Sequence, residues 1–144
     1  MDDSANSALN AIENSLSDLV TKIRFLLNRC SRLKERANVL ISEEPDTLPY
    51  DRCSRILTDI TDFLELLGKC QTRIADLLAK WQTLRDELEK YDRPSLIKKF
   101  ICYEVDIVDM CVRLRTVEND LHKYRTRVGT RRLELIDVLQ KSLQ

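Results

Sequence analysis

The sequence predicts an all-α protein: an antiparallel, up-down-up three-helix bundle wound as an elongated left-handed coiled coil. Three observations predict it. Apolar residues recur at alternating steps of three and four along three long segments, which is the spacing of a coiled-coil seam. The only prolines, Pro45, Pro49 and Pro94, fall between those segments, and a proline inside a helix costs about 3 kcal/mol. The composition, 43% hydrophobic and 33% charged with Gly68 and Gly129 as the only glycines, is that of an amphipathic helical chain.

The first helix is expected over about residues 4–42, with a seam running from Leu9 through Ile12, Leu16, Leu19, Ile23, Leu26, Cys30, Leu33 and Ala37 to Leu40. Glu43-Glu44-Pro45-Asp46-Thr47-Leu48-Pro49 then makes an acidic, proline-containing loop. The second helix is expected over about residues 50–91, its seam passing Cys53, Ile56, Ile60, Phe63, Leu67, Cys70, Ile74, Leu77, Trp81, Leu84, Leu88 and Tyr91. Asp92-Arg93-Pro94-Ser95 makes a tight turn, with Pro94 near the first helical position where its missing N–H costs nothing. The third helix, expected over about residues 94–142, carries Leu96, Phe100, Tyr103, Ile107, Met110, Leu114, Val117, Leu121, Tyr124, Val128, Arg131, Leu135 and Val138. Arg131 is its one charged interruption, and a charge there must snorkel or find a partner. Two long helices would leave part of each stripe wet, whereas three close a core, so residues 1–144 read as one monomeric domain. Short loops make successive helices antiparallel, and about 40 residues of helix span about 60 Å.

Charge and composition exclude several classes. The formal charges balance, 24 basic against 24 acidic, so bulk attraction to nucleic acid is not expected. No long apolar run exists, and Met1-Asp2-Asp3-Ser4 does not open a signal peptide. A soluble, cytoplasmic protein is the expectation. The cysteines Cys30, Cys53, Cys70, Cys102 and Cys111 are odd in number and irregular in spacing, which suits reduced thiols on or beside the seams better than a disulfide framework. His122 is the single histidine, at a seam boundary, and no close cysteine pair accompanies it. No catalytic residue, metal site or cofactor is therefore assigned. Carboxylates lie at helical spacing on solvent faces, with Glu65 and Lys69, and Asp76 and Lys80, expected as i,i+4 pairs. Trp81 is expected in the core with its indole N–H reaching a partner at the rim.

Charge placement supplies the one candidate site. Arg29, Arg32, Lys34 and Arg36 on the first helix, and Lys123, Arg125, Arg127 and Arg132 on the third, come to one end if those helices run parallel. Asp51, Asp59, Asp62 and Glu65 on the second helix reach the same end. Either these acids pair with the basic residues internally, or a basic stripe faces an acidic partner: a filament, a protein surface or anionic lipid.

The run Leu114, Val117, Leu121, Tyr124, Val128, Arg131, Leu135, with its V-x-x-R-x-x-x-L step, resembles the last helix of a spectrin repeat. The three-helix order and the acidic first loop are similar too. The resemblance implies a non-enzymatic spacer and protein-docking module of a cytoskeletal or nuclear-envelope linker. The family's tryptophans in the first and third helices are aliphatic here, and the single tryptophan, Trp81, lies in the second. Cys30-Ser31-Arg32-Leu33, Val39-Leu40-Ile41, Glu89-Lys90-Tyr91 and Leu96-Ile97-Lys98-Lys99-Phe100-Ile101 are similar to the N-terminal helical bundle of the necroptosis pseudokinases. That resemblance implies a bundle that binds anionic lipid through basic residues and permeabilises membranes. Its turn, however, falls where residues 22–28 here keep heptad phase. A regulatory three-helix domain that binds a partner helix is a third alternative, and homo-oligomers through helix exchange are a further possibility.

Overall fold

The computed structural model describes residues 3–144. The chain is all-helical, with no strand among the described residues. Its helices are α1 (Asp3–Leu40), α2 (Tyr50–Leu88) and α3 (Pro94–Ser142), with a 3-10 turn at Pro45–Thr47 between the first two. No described helix is long and apolar enough to cross a membrane.

The helix ends have local causes. After Leu40, Ile41 N still donates to Ala37 O, but Ser42 N and Oγ then both turn to Val39 O, at 3.2 and 2.7 Å, and close α1 two residues before the expected end. Pro45 and Pro49 prevent any continuation. At the far end of α2, Lys90 N and Tyr91 N reach back to Glu87 and Leu88 carbonyls in tighter turns. The regular helix therefore stops at Leu88, three residues short of the expected Tyr91. Pro94 opens α3 as expected. No described residue adopts positive φ, so none of these ends uses a glycine cap.

Two compact units divide the chain, and every helix contributes to both. One comprises the described residues through Cys30 together with Cys70–Val112; the other comprises Ser31–Lys69 and Arg113–Gln144.

In the first unit the core is built on Ile23, Ile74, Trp81, Phe100 and Ile107. Trp81 packs on Phe100 with ring centroids 4.5 Å apart and meets Tyr103 edge-on at 5.8 Å. Its indole Nε1 is buried without a hydrogen-bond partner, in contrast to the expected rim contact. The aromatic neighbours on α3 enclose the whole ring, and that packing outweighs one unmet donor. Beside them Arg85 Nη1 donates to Glu104 Oε2 at 2.6 Å, which raises the affinity of Arg85 for its proton. Cys30 and Cys70 bring their Sγ atoms to 3.1 Å in the buried interior. Burial first, and then this contact, push the Cys30 thiol far above its ordinary range. Cys102 is exposed and Cys111 half-buried, so the cysteines are not uniformly core residues.

In the second unit Leu33, Ala37, Cys53, Ile60, Leu67, Leu114, Leu121 and Val128 are buried. Here the α3 seam stops earlier than expected. Val128 is its last fully buried residue, Leu135 is half-buried and Val138 is 62% exposed. The loop that joins α1 to α2 packs against α3 between Tyr124 and Arg131. Beyond it only Leu135 and Ile136 are half-buried, and the helix is exposed from Asp137 onward. Leu48, which falls on no stripe, is buried along with Pro45.

Gly68 and Gly129 sit within helices, and an added Cβ at either would meet no atom within 4 Å. Glycine costs about 0.5–1 kcal/mol relative to alanine in a helix interior. Gly68→Ala and Gly129→Ala should each therefore raise unfolding stability by that amount in urea titrations. Leu121→Ala should lower it by about 2–5 kcal/mol.

Candidate functional site

The candidate basic end is organised by what α3 does to the α1–α2 loop. Tyr124, Arg127 and Arg131 follow one another at steps of three and four, so they share a face of α3. All three reach the loop. Tyr124 Oη donates to the Glu43 carbonyl at 2.7 Å, Arg127 Nη2 to Glu44 Oε1 at 2.5 Å, and Arg131 Nε to the Leu48 carbonyl at 3.0 Å. The seam break at Arg131 is thereby explained: its charge ends on a backbone acceptor that no helix satisfies. Arg132 lies with Cζ 5.5 Å from the Tyr50 ring centroid, and hydrogen bonding to its guanidinium lowers the Tyr50 phenol below its usual range.

The loop is also tied to α2. Arg52 donates through Nη2 and Nε to both oxygens of Glu43, at 2.7 and 3.2 Å. That fork holds the Glu43 carboxyl below the usual carboxylate range. Burial raises the Tyr124 phenol, which keeps it a neutral donor. Two cross-element ion pairs of this unit, Arg52 with Glu43 and Arg127 with Glu44, thus use acids of the loop. Among the acids of early α2, Glu65 pairs with Lys69 on its own helix at 3.8 Å. Asp76 and Lys80 do not form the second expected i,i+4 ion pair. His122 is exposed, its Nε2 3.9 Å from Glu118 Oε1.

The candidate basic residues separate into groups. Arg29 belongs to the unit of Cys30 and Cys70–Val112, and the other seven belong to the second unit. Arg127 and Arg132 are engaged with Glu44 and Tyr50. Arg36 lies over Phe63 with Cζ 5.6 Å from the ring centroid. With Arg32 it lines an open groove of about 1100 Å³ whose other wall carries Asp59 and Asp62. Lys34, Lys123 and Arg125 are exposed and enter no ion pair among the described residues. They are the candidate cations of this unit most available to a partner, alongside the exposed Arg55 and Arg115.

Sequence reasoning missed a second arrangement, in the first unit. Lys22, Phe25 and Arg29 on α1 and Arg73, Leu77 and Lys80 on α2 line one groove of about 490 Å³. Its signal is Phe25, an off-seam aromatic standing between cations three residues before and four residues after it. Among the described residues no group of three potential metal ligands lies close enough to hold an ion. Comparison with protein families, curated proteins and solved structures gives no match for this chain.

Two outcomes test the loop clasp. Tyr124→Phe should cost about 0.5–1.5 kcal/mol, as a part-buried hydrogen bond is lost, and Arg131→Ala about 1–3 kcal/mol, because the carbonyl of buried Leu48 loses its donor. Chemical denaturation checks both. The second outcome concerns pH. A carboxyl whose folded pKa is depressed stabilises the fold above its unfolded pKa, and loses that contribution as pH falls through the folded value. Thermal melts of the native chain should therefore decline below the ordinary carboxylate range, and Arg52→Gln should flatten the decline.

Proposed function

We propose that the chain is a non-enzymatic structural module, a spacer and protein-docking surface of spectrin-repeat type. In it α1, α2 and α3 run up, down and up as an elongated left-handed coiled coil. The observation that carries this reading is the spacing of the buried residues. On α1 they alternate at steps of three and four without a break, α2 and α3 keep the same phase with Leu77, Tyr103 and Met110 half-buried, and no polar or charged residue among those described is buried with them.

The composition of the two units supports the up-down-up order. One takes the start of α1, the end of α2 and the start of α3, and the other takes the complementary parts. Tyr124, Arg127 and Arg131 support a mechanical role, since they fasten the proline-containing loop to α3. Lys34, Lys123 and Arg125 favour an acidic protein surface or filament as the partner, in a cytoplasmic linker of the cytoskeleton or nuclear envelope. The continuous course of α1 through residues 22–28 supports the spectrin-type reading over the membrane-permeabilising one.

Small-angle scattering tests the spacer. The purified chain should give a maximum dimension of about 60 Å or more, and a globule under about 45 Å would remove the reading. The chain should also leave anionic liposomes intact. Dye release that is abolished by reversing charge at Arg29, Arg32 and Lys34 would replace the docking module with a membrane-active one.

A further inference from the structure

We infer that the α1–α2 face of the unit formed by Cys70–Val112 and the described residues through Cys30 is a docking groove for one amphipathic α-helix of a partner protein, with acidic residues seven apart. The inference takes from the docking reading only that the ligand is a protein.

Two walls make the groove, each with the same plan. On α1, Lys22 and Arg29 stand one turn to either side of Phe25 and Leu26. On α2, Arg73 and Lys80 stand one turn to either side of Asp76 and Leu77. Four cations therefore surround an apolar centre, against one carboxylate. None of the four forms an ion pair among the described residues, although Asp18 and Asp76 are at i,i+4 spacing from Lys22 and Lys80. Phe25 is 70% exposed at the middle. An aromatic in water, ringed by cations with no partners, gives the fold nothing, and it suits a ligand that brings both apolar surface and negative charge.

The groove's length identifies the ligand's shape. Lys22 and Lys80 also line an adjoining section of about 470 Å³, and Ser15, Leu84 and Glu87 carry it into a third of about 360 Å³ that reaches Ala8. From Ala8 to Arg29 the face extends about 30 Å at 1.5 Å per residue, which is the length of a helix of about 20 residues. Ala8, Ala11, Ser15 and Ala79 keep the walls low, as close approach of another helix requires.

Charge order sets the sequence of that helix. Each wall presents its cations seven residues apart, about 10 Å, so acids at i and i+7 of the partner reach both levels with apolar residues at i+3 and i+4 between them. Beyond the cations, Asp18, four residues past Lys22, calls for a base near i+11, and Glu87, seven past Lys80, lies one turn further along. A flat anionic bilayer would meet the acidic section unfavourably and could not enter a concave face, so a helix fits the site better.

The test uses the full chain and a fluorescent 21-residue peptide with Glu at i and i+7, Leu at i+3 and i+4, Lys at i+11, and alanine or glutamine elsewhere. Anisotropy should show saturable binding that weakens with salt, at least about tenfold tighter than for the peptide with Glu and Lys exchanged. Arg29→Glu with Arg73→Glu should weaken it at least about tenfold, as should Phe25→Ala, whereas Lys123→Glu with Arg125→Glu should leave it unchanged. Circular dichroism confirms that each variant is folded. Equal binding of the exchanged peptide, retention by both groove variants, or no saturation up to about 1 mM overturns the inference. So does binding of phosphatidylglycerol vesicles by a chain that ignores the peptide. Scattering tests the spacer independently, so the two readings fail separately.

Discussion

Every other feature follows from the need to bury three narrow stripes at once. A helix whose apolar residues come once in three or four positions covers only part of its circumference, and burying each methylene is worth about 0.8 kcal/mol. None of the helices completes that burial alone, so residues of all three close the core of each unit. The requirement is strong enough to override local chemistry. Leaving the Trp81 N–H without an acceptor costs about 1–3 kcal/mol, yet removing a large buried aromatic costs about 3–5 kcal/mol. Packing against Phe100 and Tyr103 wins.

The same constraint makes Arg131 intelligible. A seam cannot hold a charge among apolar neighbours, but it can hold one where the seam ends and unsatisfied carbonyls begin. The α1–α2 loop offers such acceptors because Pro45 and Pro49 keep it out of regular helix. Tyr124 and Arg131 take the carbonyls of Glu43 and Leu48, and Arg127 takes the Glu44 carboxylate. Loop and helix thus depend on each other, and the basic residues spent there are withdrawn from any external partner. A count of positive charge therefore overstates what this end offers; of the candidate residues in this unit, Arg32, Lys34, Lys123 and Arg125 remain outside any ion pair or ring contact among the described residues.

How much of this was legible in the sequence depends on how far each interaction reaches along the chain. Helix identity and the seams of α1 and α2 were readable because both are set by neighbours three or four residues away. The boundary errors at Leu40 and Leu88 come from serine and carbonyl contacts in the last turn, which periodicity does not register. The clasp joins residues more than 80 positions apart, so the sequence showed only that Arg131 was anomalous and not what it held. Leu48 and Pro45 were hidden for the same reason, since a residue off every stripe is buried only when another element covers it. On α3 the pattern was blurred by a second set of apolar residues. Ile101, Val105, Val108 and Val112 are exposed, on a face different from that of Phe100, Ile107 and Leu114. Period alone assigns both sets to one helix without saying which is inside.

That contrast bears on where recognition is encoded. The outer valines of α3 present apolar area with no ordered set of charges that selects an occupant. Area of that kind does not convert into specificity, which needs features that penalise the wrong partner. The α1–α2 groove sets its apolar surface among ordered charges. Its concavity rejects flat surfaces, its low walls admit a helix, and its succession of cations followed by carboxylates distinguishes one charge order from the reverse. A partner helix of the wrong polarity would set acid against Asp18 and Glu87 and base against Lys22 and Lys80. Like charges placed opposite each other in a partly desolvated groove cost more than matched pairs return at an exposed surface. Discrimination at this face therefore rests on the order of charges along two helices whose spacing the buried seams have already fixed.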